Sequence, residues 1–162
     1  MFKRLLAILI CNLAIVISAA GAPSPEDIVT RIQRDGGKFV LDDLWNHDSE
    51  FEAVLRGIES ANPRWLEVAQ LLKPFSDAGS SESINYAVAR ALPIDPERVL
   101  HMIGHGFDLI SLCTSPFDEP EPGVAEAYER RALSALASLR DPDLKSLASE
   151  CAKQVRLQPA AG

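Results

Sequence analysis

His101 and His105 stand four residues apart, and Asp108 follows three further on. On a continuous helix the three share a face, and two imidazoles with a carboxylate are a ligand set for a divalent metal. A zinc peptidase also needs a glutamate directly after the first histidine, and Met102 stands there. Gly104 and Gly106 flank His105 and weaken the helix that this geometry requires. Two helix-end histidines, partly solvated, are therefore the favoured reading. A metal held by His101, His105 and Asp108 is the alternative, and no cofactor is expected. His47, just before Asp48, reads as a turn residue.

Other catalytic patterns are weaker. Asp42/Asp43 and Glu50/Glu52 are paired carboxylates of the kind a cell-wall glycosidase could use, yet carboxylates this close in sequence usually form a solvated face. There is no Gly-x-Ser-x-Gly elbow and no Ser-x-x-Lys, so Ser80, Ser81 and Ser83 read as helix-start residues. Gly36-Gly37 has no downstream Gly-Lys-Ser/Thr to cradle a phosphate. No catalytic residue is assigned.

The N-terminus bears on the cysteines. Lys3 and Arg4 precede the apolar run Leu5 to Ile17, and Ser18-x-Ala20 then offers small side chains to a signal peptidase. Residues 1–20 are expected to be an export signal, with cleavage after Ala22 as the alternative. Cys11 leaves with that segment. The two that remain, Cys113 and Cys151, are expected to form a disulfide, because an even count in an exported chain reads as a bridge. In the chain-entropy account it would contribute roughly 3–4 kcal/mol.

Between Cys113 and the next good helix former lies Ser115 to Gly123, with three prolines and three acids. Phe117 is its large apolar residue, followed by Asp118, Glu119 and Glu121. An aromatic presented among acids on a proline-stiffened loop suits a basic protein partner, since rigidity lowers the ordering cost of binding. For Phe117 itself the favoured reading is that it folds back onto the core beside Cys113, with the partner-binding role as the sharper alternative.

The segments that must position these residues carry helical periodicity, with no sustained alternation of strand type. Ser24-Pro25-Glu26-Asp27 is a capping box before Ile28, Val29 and Ile32, and Gly36-Gly37 ends that helix. Phe39 to Trp45 is a short helical stretch. Ser49 and Glu52 suggest a second box, ahead of the stripe Phe51, Val54, Leu55 and Ile58. Asn62-Pro63 starts a helix that Pro74 stops; a loop follows from Ser76 to Ser81, then a helix ended by Pro93. Asp95-Pro96 and Asp141-Pro142 start two more, and Val124 to Arg140 is a long one. The thirty-three residues from Asn62-Pro63 to Asp95-Pro96 match stacked helical hairpins, but two copies are too few to establish a repeat, and an irregular bundle using one cap twice is the favoured reading. The expected fold is all-α, a compact bundle of six to eight mostly short helices over residues 21–157, with a frayed tail at 158–162.

The 162 residues carry 16 Lys+Arg against 23 Asp+Glu. Without Lys3 and Arg4 the basic count falls to 14 and the net charge to −9. Such a chain repels phosphate backbones, so nucleic acid and anionic membrane surfaces are unsuitable partners. The leading expectation is an exported, non-catalytic helical binding protein in the bacterial periplasm or outside the cell. Its most concrete form is an inhibitor or immunity-type protein that masks a basic exported enzyme. A small periplasmic metal-binding protein and a cell-wall hydrolase are the alternatives, and no membrane anchor is expected to persist after signal cleavage.

Overall fold

Nine α-helices and one 3-10 turn make up the regular structure of residues 22–156, the part that this computed structural model describes. Residues 1–20, expected to be an export signal, and the tail at 158–162 lie outside the described residues, which contain no strand. Helix α1 (Pro25–Asp35) opens on the expected box: Ser24 Oγ accepts from the Asp27 amide at 3.2 Å, and the Asp27 carboxylate accepts from the Ser24 amide at 3.2 Å. Gly36 alone ends it, at φ 87°. Gly37 is instead the first residue of α2 (Gly37–Trp45), and it is buried. The Phe75 ring occupies the space its Cβ would need, with Cε2 2.3 Å from that position.

Helix α3 (Asp48–Glu59) does not use the Ser49–Glu52 box. The His47 carbonyl accepts from the Glu50 and Phe51 amides, so His47 is the N-cap and Ser49 already lies inside the first turn. Asn62 caps α4 (Pro63–Leu72) by accepting from the Arg64 amide at 2.9 Å. Pro74 follows inside a 3-10 turn, Lys73–Phe75. The loop expected over Ser76 to Ser81 is mostly helix. Asp77 and Ser80 cap each other's amides at 3.2 and 3.0 Å, and α5 (Ala78–Ala91) starts at once.

Asp95 caps α6 (Pro96–His101), which gives way to a turn where Gly104 and Gly106 take φ 85° and 90°. That turn closes through the Gly104 amide donating to the Phe107 carbonyl at 2.9 Å. Asp108 then caps the five-residue α7 (Leu109–Cys113), which is too short to show a period in sequence. After the acidic loop come α8 (Val124–Ser138) and α9 (Lys145–Arg156). Asp141-Pro142 does not start α9: Asp141 Oδ1 accepts from the Asp143 amide at 2.9 Å and holds a turn instead. The two helices started thirty-three residues apart have ten and six residues, so they are not two copies of one unit.

Helix α1 packs on α2 and α4, α3 on α5, α5 on α7, and α9 on both α7 and α8. A continuous apolar cluster runs through them, including the fully buried Ile28, Leu44, Ile58, Ile84, Leu92 and Leu112. Each such side chain contributes about 1.5–3 kcal/mol by leaving water. The expected disulfide is present, Cys113 to Cys151, tying α7 to α9. Among the described residues no helix is long and apolar enough to cross a membrane.

Candidate functional site

An open cleft of about 500 Å³ lies between α5 and α7, with Asp77, Glu82, Tyr86 and Asn85 on one side and Ile110 and Ser111 on the other. Ile110 is 61% exposed and stands among polar groups, one of several exposed large apolar side chains with Phe39 and Ile94. Beneath the cleft, the Lys73 ammonium donates to Ser81 Oγ at 2.5 Å and to Asn85 Oδ1 at 2.7 Å, with a longer contact to the Ser81 carbonyl at 3.5 Å. It also sits 5.3 Å above the centre of the Phe107 ring. Burial holds this ammonium below the ordinary lysine range, and Asp108 opposes that shift. Through these contacts Lys73 joins the 3-10 turn to α5.

The acidic loop borders this cleft and is fastened to α5 at two points one helical turn apart. The Tyr86 hydroxyl lies 3.0 Å from Asp118 Oδ1 and 3.3 Å from Glu82 Oε1, and its one proton can serve either. Burial first, then Asp118, pushes that phenol up to about 12. Arg90 donates to the Pro116 carbonyl at 2.8 Å and to Glu59 at 2.7 Å, while its guanidinium lies 5.1 Å from the centre of the Phe117 ring. Phe117 meets Tyr128 edge-on at 5.6 Å. Phe117 therefore faces inward and anchors the loop, packed between α5 and α8. Asp118, Glu119 and Glu121 remain exposed on its outer side.

The charges are unevenly compensated. Every Asp and Glu in α1–α4 except Asp27 and Asp48 faces an Arg or Lys within ion-pair distance. The carboxylate pairs proposed from sequence belong to this group. Arg31 bridges Asp43 and Glu50 at 2.5 Å each, Lys38 holds Asp42 at 2.6 Å, and Arg56 holds Glu52 at 3.4 Å. By contrast, Asp77, Glu82, Asp118, Glu119 and Glu121 take part in none of the ion pairs among the described residues.

His101, His105 and Asp108 are not brought together. The helix ends at His101, His105 sits in the turn between two left-handed glycines, and Asp108 spends its carboxylate on the Ser111 amide (2.9 Å) and hydroxyl (2.6 Å). His47 lies exposed at the start of α3, its Nδ1 2.7 Å from the Asp43 carbonyl. Sequence reasoning missed Ile110, Tyr86 and Glu82. The signal for the last two was present, as Glu82 and Tyr86 are four apart on one helix face. Comparison of the chain with protein-family models, curated proteins and solved structures finds no match.

Proposed function

We propose that this chain is an exported, non-catalytic binding protein of inhibitor or immunity type that engages a basic protein through the face formed by the α5–α7 cleft and the acidic loop. The observation that carries the reading is the gathering of uncompensated acids around an exposed apolar side chain. Asp77 and Glu82 line a cleft walled by Ile110, Asp118 meets it through Tyr86, and Glu119 and Glu121 follow Asp118 on the same loop. The acids raise the encounter rate with a cationic surface, and the apolar contact slows departure. The loop is already held by Arg90 and Tyr86, so binding does not have to order it. The apolar anchor is Ile110, in place of the inward-facing Phe117. The Lys3–Ala20 pattern supports export.

Two measurements test this. Expression of the full chain in a bacterium, with mass analysis of the exported product, should give a chain beginning at Gly21 or Pro23; an intact Met1 in every fraction would sink the export part. Pull-down from the same compartment should then capture a basic protein whose binding kinetics can be followed. Ile110→Ser should cost about 2 kcal/mol or more in affinity, as truncated interface anchors do. Neutralising Glu82, Asp118, Glu119 and Glu121 together should slow association more than it speeds dissociation. Phe117→Ala should lower stability while leaving affinity per folded molecule nearly intact. A captured partner indifferent to both Ile110 and the acids would refute the face.

A further inference from the structure

Away from the cleft, Glu97 and His101 stand four residues apart on α6, and Asp141 reaches the same spot from the turn between α8 and α9. One ligand atom from each, a carboxylate oxygen, an imidazole nitrogen and a second carboxylate oxygen, lie within 4.8 Å of one another. Among the described residues this is the group of three metal-ligating side chains that converges. Neither carboxylate is in an ion pair: the nearby Arg98 is taken by Asp95, and Asp141 accepts only the Asp143 amide, on Oδ1. Two carboxylates thus converge with one imidazole, and a cation held among them would be attracted by both negative charges.

We propose that Glu97, His101 and Asp141 form a binding site for a divalent transition-metal ion such as Zn²⁺, which would tie α6 to the α8–α9 turn. One nitrogen and two oxygens suit a borderline cation, whereas Ca²⁺ and Mg²⁺ prefer oxygen alone. Zinc bonds of about 2.0–2.2 Å require the donors to draw closer than 4.8 Å, which exposed Glu97 and His101 can do by side-chain rotation. Three protein ligands leave the remaining position to water. Exposed ligands bind more weakly than buried ones, because little of the site is held in place beforehand. The site is independent of the acidic cleft, and neither reading depends on the other.

Calorimetric titration of chelator-treated full chain with Zn²⁺ at pH 7.5 tests the site, alongside melting curves with and without the ion. One equivalent should bind, and the melting temperature should rise with zinc concentration. Losing an outer-shell partner costs a metal site about 10–100-fold in affinity, so losing a ligand through His101→Ala should cost at least as much. Asp141→Asn keeps the Oδ1 acceptor that the turn needs, and it should weaken zinc comparably without lowering the metal-free melting temperature. His105→Ala should change nothing. No zinc binding, binding that His101→Ala and Asp141→Asn leave intact, or equal displacement by Ca²⁺ would each overturn the assignment.

Discussion

Short carboxylates at helix starts recur through this chain, and they set how it responds to acid. Asp77 is held below the usual carboxyl value of 3.8 by the Ser80 hydroxyl first and the Ser80 amide second. Asp108 is lowered in the same way by Ser111, and Asp27 by Ser24. A folded-state value below the unfolded one means that the unfolded chain binds protons first as the pH falls. The caps' contribution is complete above the unfolded value and disappears as pH falls through the folded one. Thermal melts should therefore be flat from pH 7 to about 5 and decline below about 4. Asp77→Asn retains a capping oxygen but not the charge, so its melting temperature should fall less steeply with acid. Identical acid profiles for the two proteins would show that the Asp77–Ser80 box does not govern the transition. The Ser24–Asp27 box was readable in sequence because Pro25 marks it; Asp77–Ser80 is the same chemistry in reverse order, hidden in a run of small residues that resembles a loop. Sequence favours an inward Phe117 but does not show what holds it there: Arg90, twenty-seven residues earlier, and Tyr128, eleven later.

At the scale of elements, two glycines inside helices let neighbouring segments approach. Gly57, in the middle of α3, faces Trp65 of α4, and a Cβ there would lie 2.4 Å from Trp65 Cε2. Alanine at an exposed helical position would gain about 1 kcal/mol over glycine from propensity. Here the added methyl must displace an indole wedged between α3 and α4, and overpacking of that kind costs about 1–3 kcal/mol. Gly57→Ala should thus be net destabilising or neutral, with a change in tryptophan fluorescence reporting the displaced ring. A gain near the full propensity value would mean that the indole moves aside without cost. Gly37→Ala should be milder, because Phe75 is half-exposed and has solvent to move into. Periodicity located the long helices through stripes such as Phe51, Val54 and Ile58, since burial of one face dictates residue spacing. It could not find α7, whose five residues make little more than one turn, nor choose between a helix and a turn at Asp141-Pro142. Likewise, Glu97 and His101 were within reach of a sequence argument at their four-residue spacing. Asp141, forty residues later, joins them only through tertiary packing of α6 against α8.

At the scale of the whole molecule, one cross-link joins the acidic loop's end of the chain to the last helix. Asp118, Glu119 and Glu121 of that loop, like Asp77 and Glu82 beside it, stand outside the ion pairs among the described residues, while α8 and α9 carry unpaired acids (Glu126, Glu129, Glu150) and bases (Arg130, Arg131, Lys145, Lys153, Arg156) side by side. The local acidity of the loop attracts a cationic partner before contact, an effect that salt screens beyond about 8–10 Å. The disulfide holds the two regions in register, because Cys113 ends α7 directly before the acidic loop and Cys151 sits inside α9. Helix α7 is too short to be stable by itself and depends on its neighbours. The bridge spans a sequence separation of 38, so loop-closure entropy assigns it roughly 3–4 kcal/mol against the unfolded chain. Replacing both Cys113 and Cys151 by Ala should cost about 2–5 kcal/mol in denaturant unfolding. It should also speed amide exchange first in α7 and the loop, which adjoin the lost bridge. Both sulfurs are fully buried, so alkylation must be done on denatured protein and read by intact mass. Protein recovered from the periplasm without Cys11 should then show no free thiol without reductant and two with it. Two alkylated cysteines in the absence of reductant would refute the bridge and leave the acidic face held by Arg90 and Tyr86 alone.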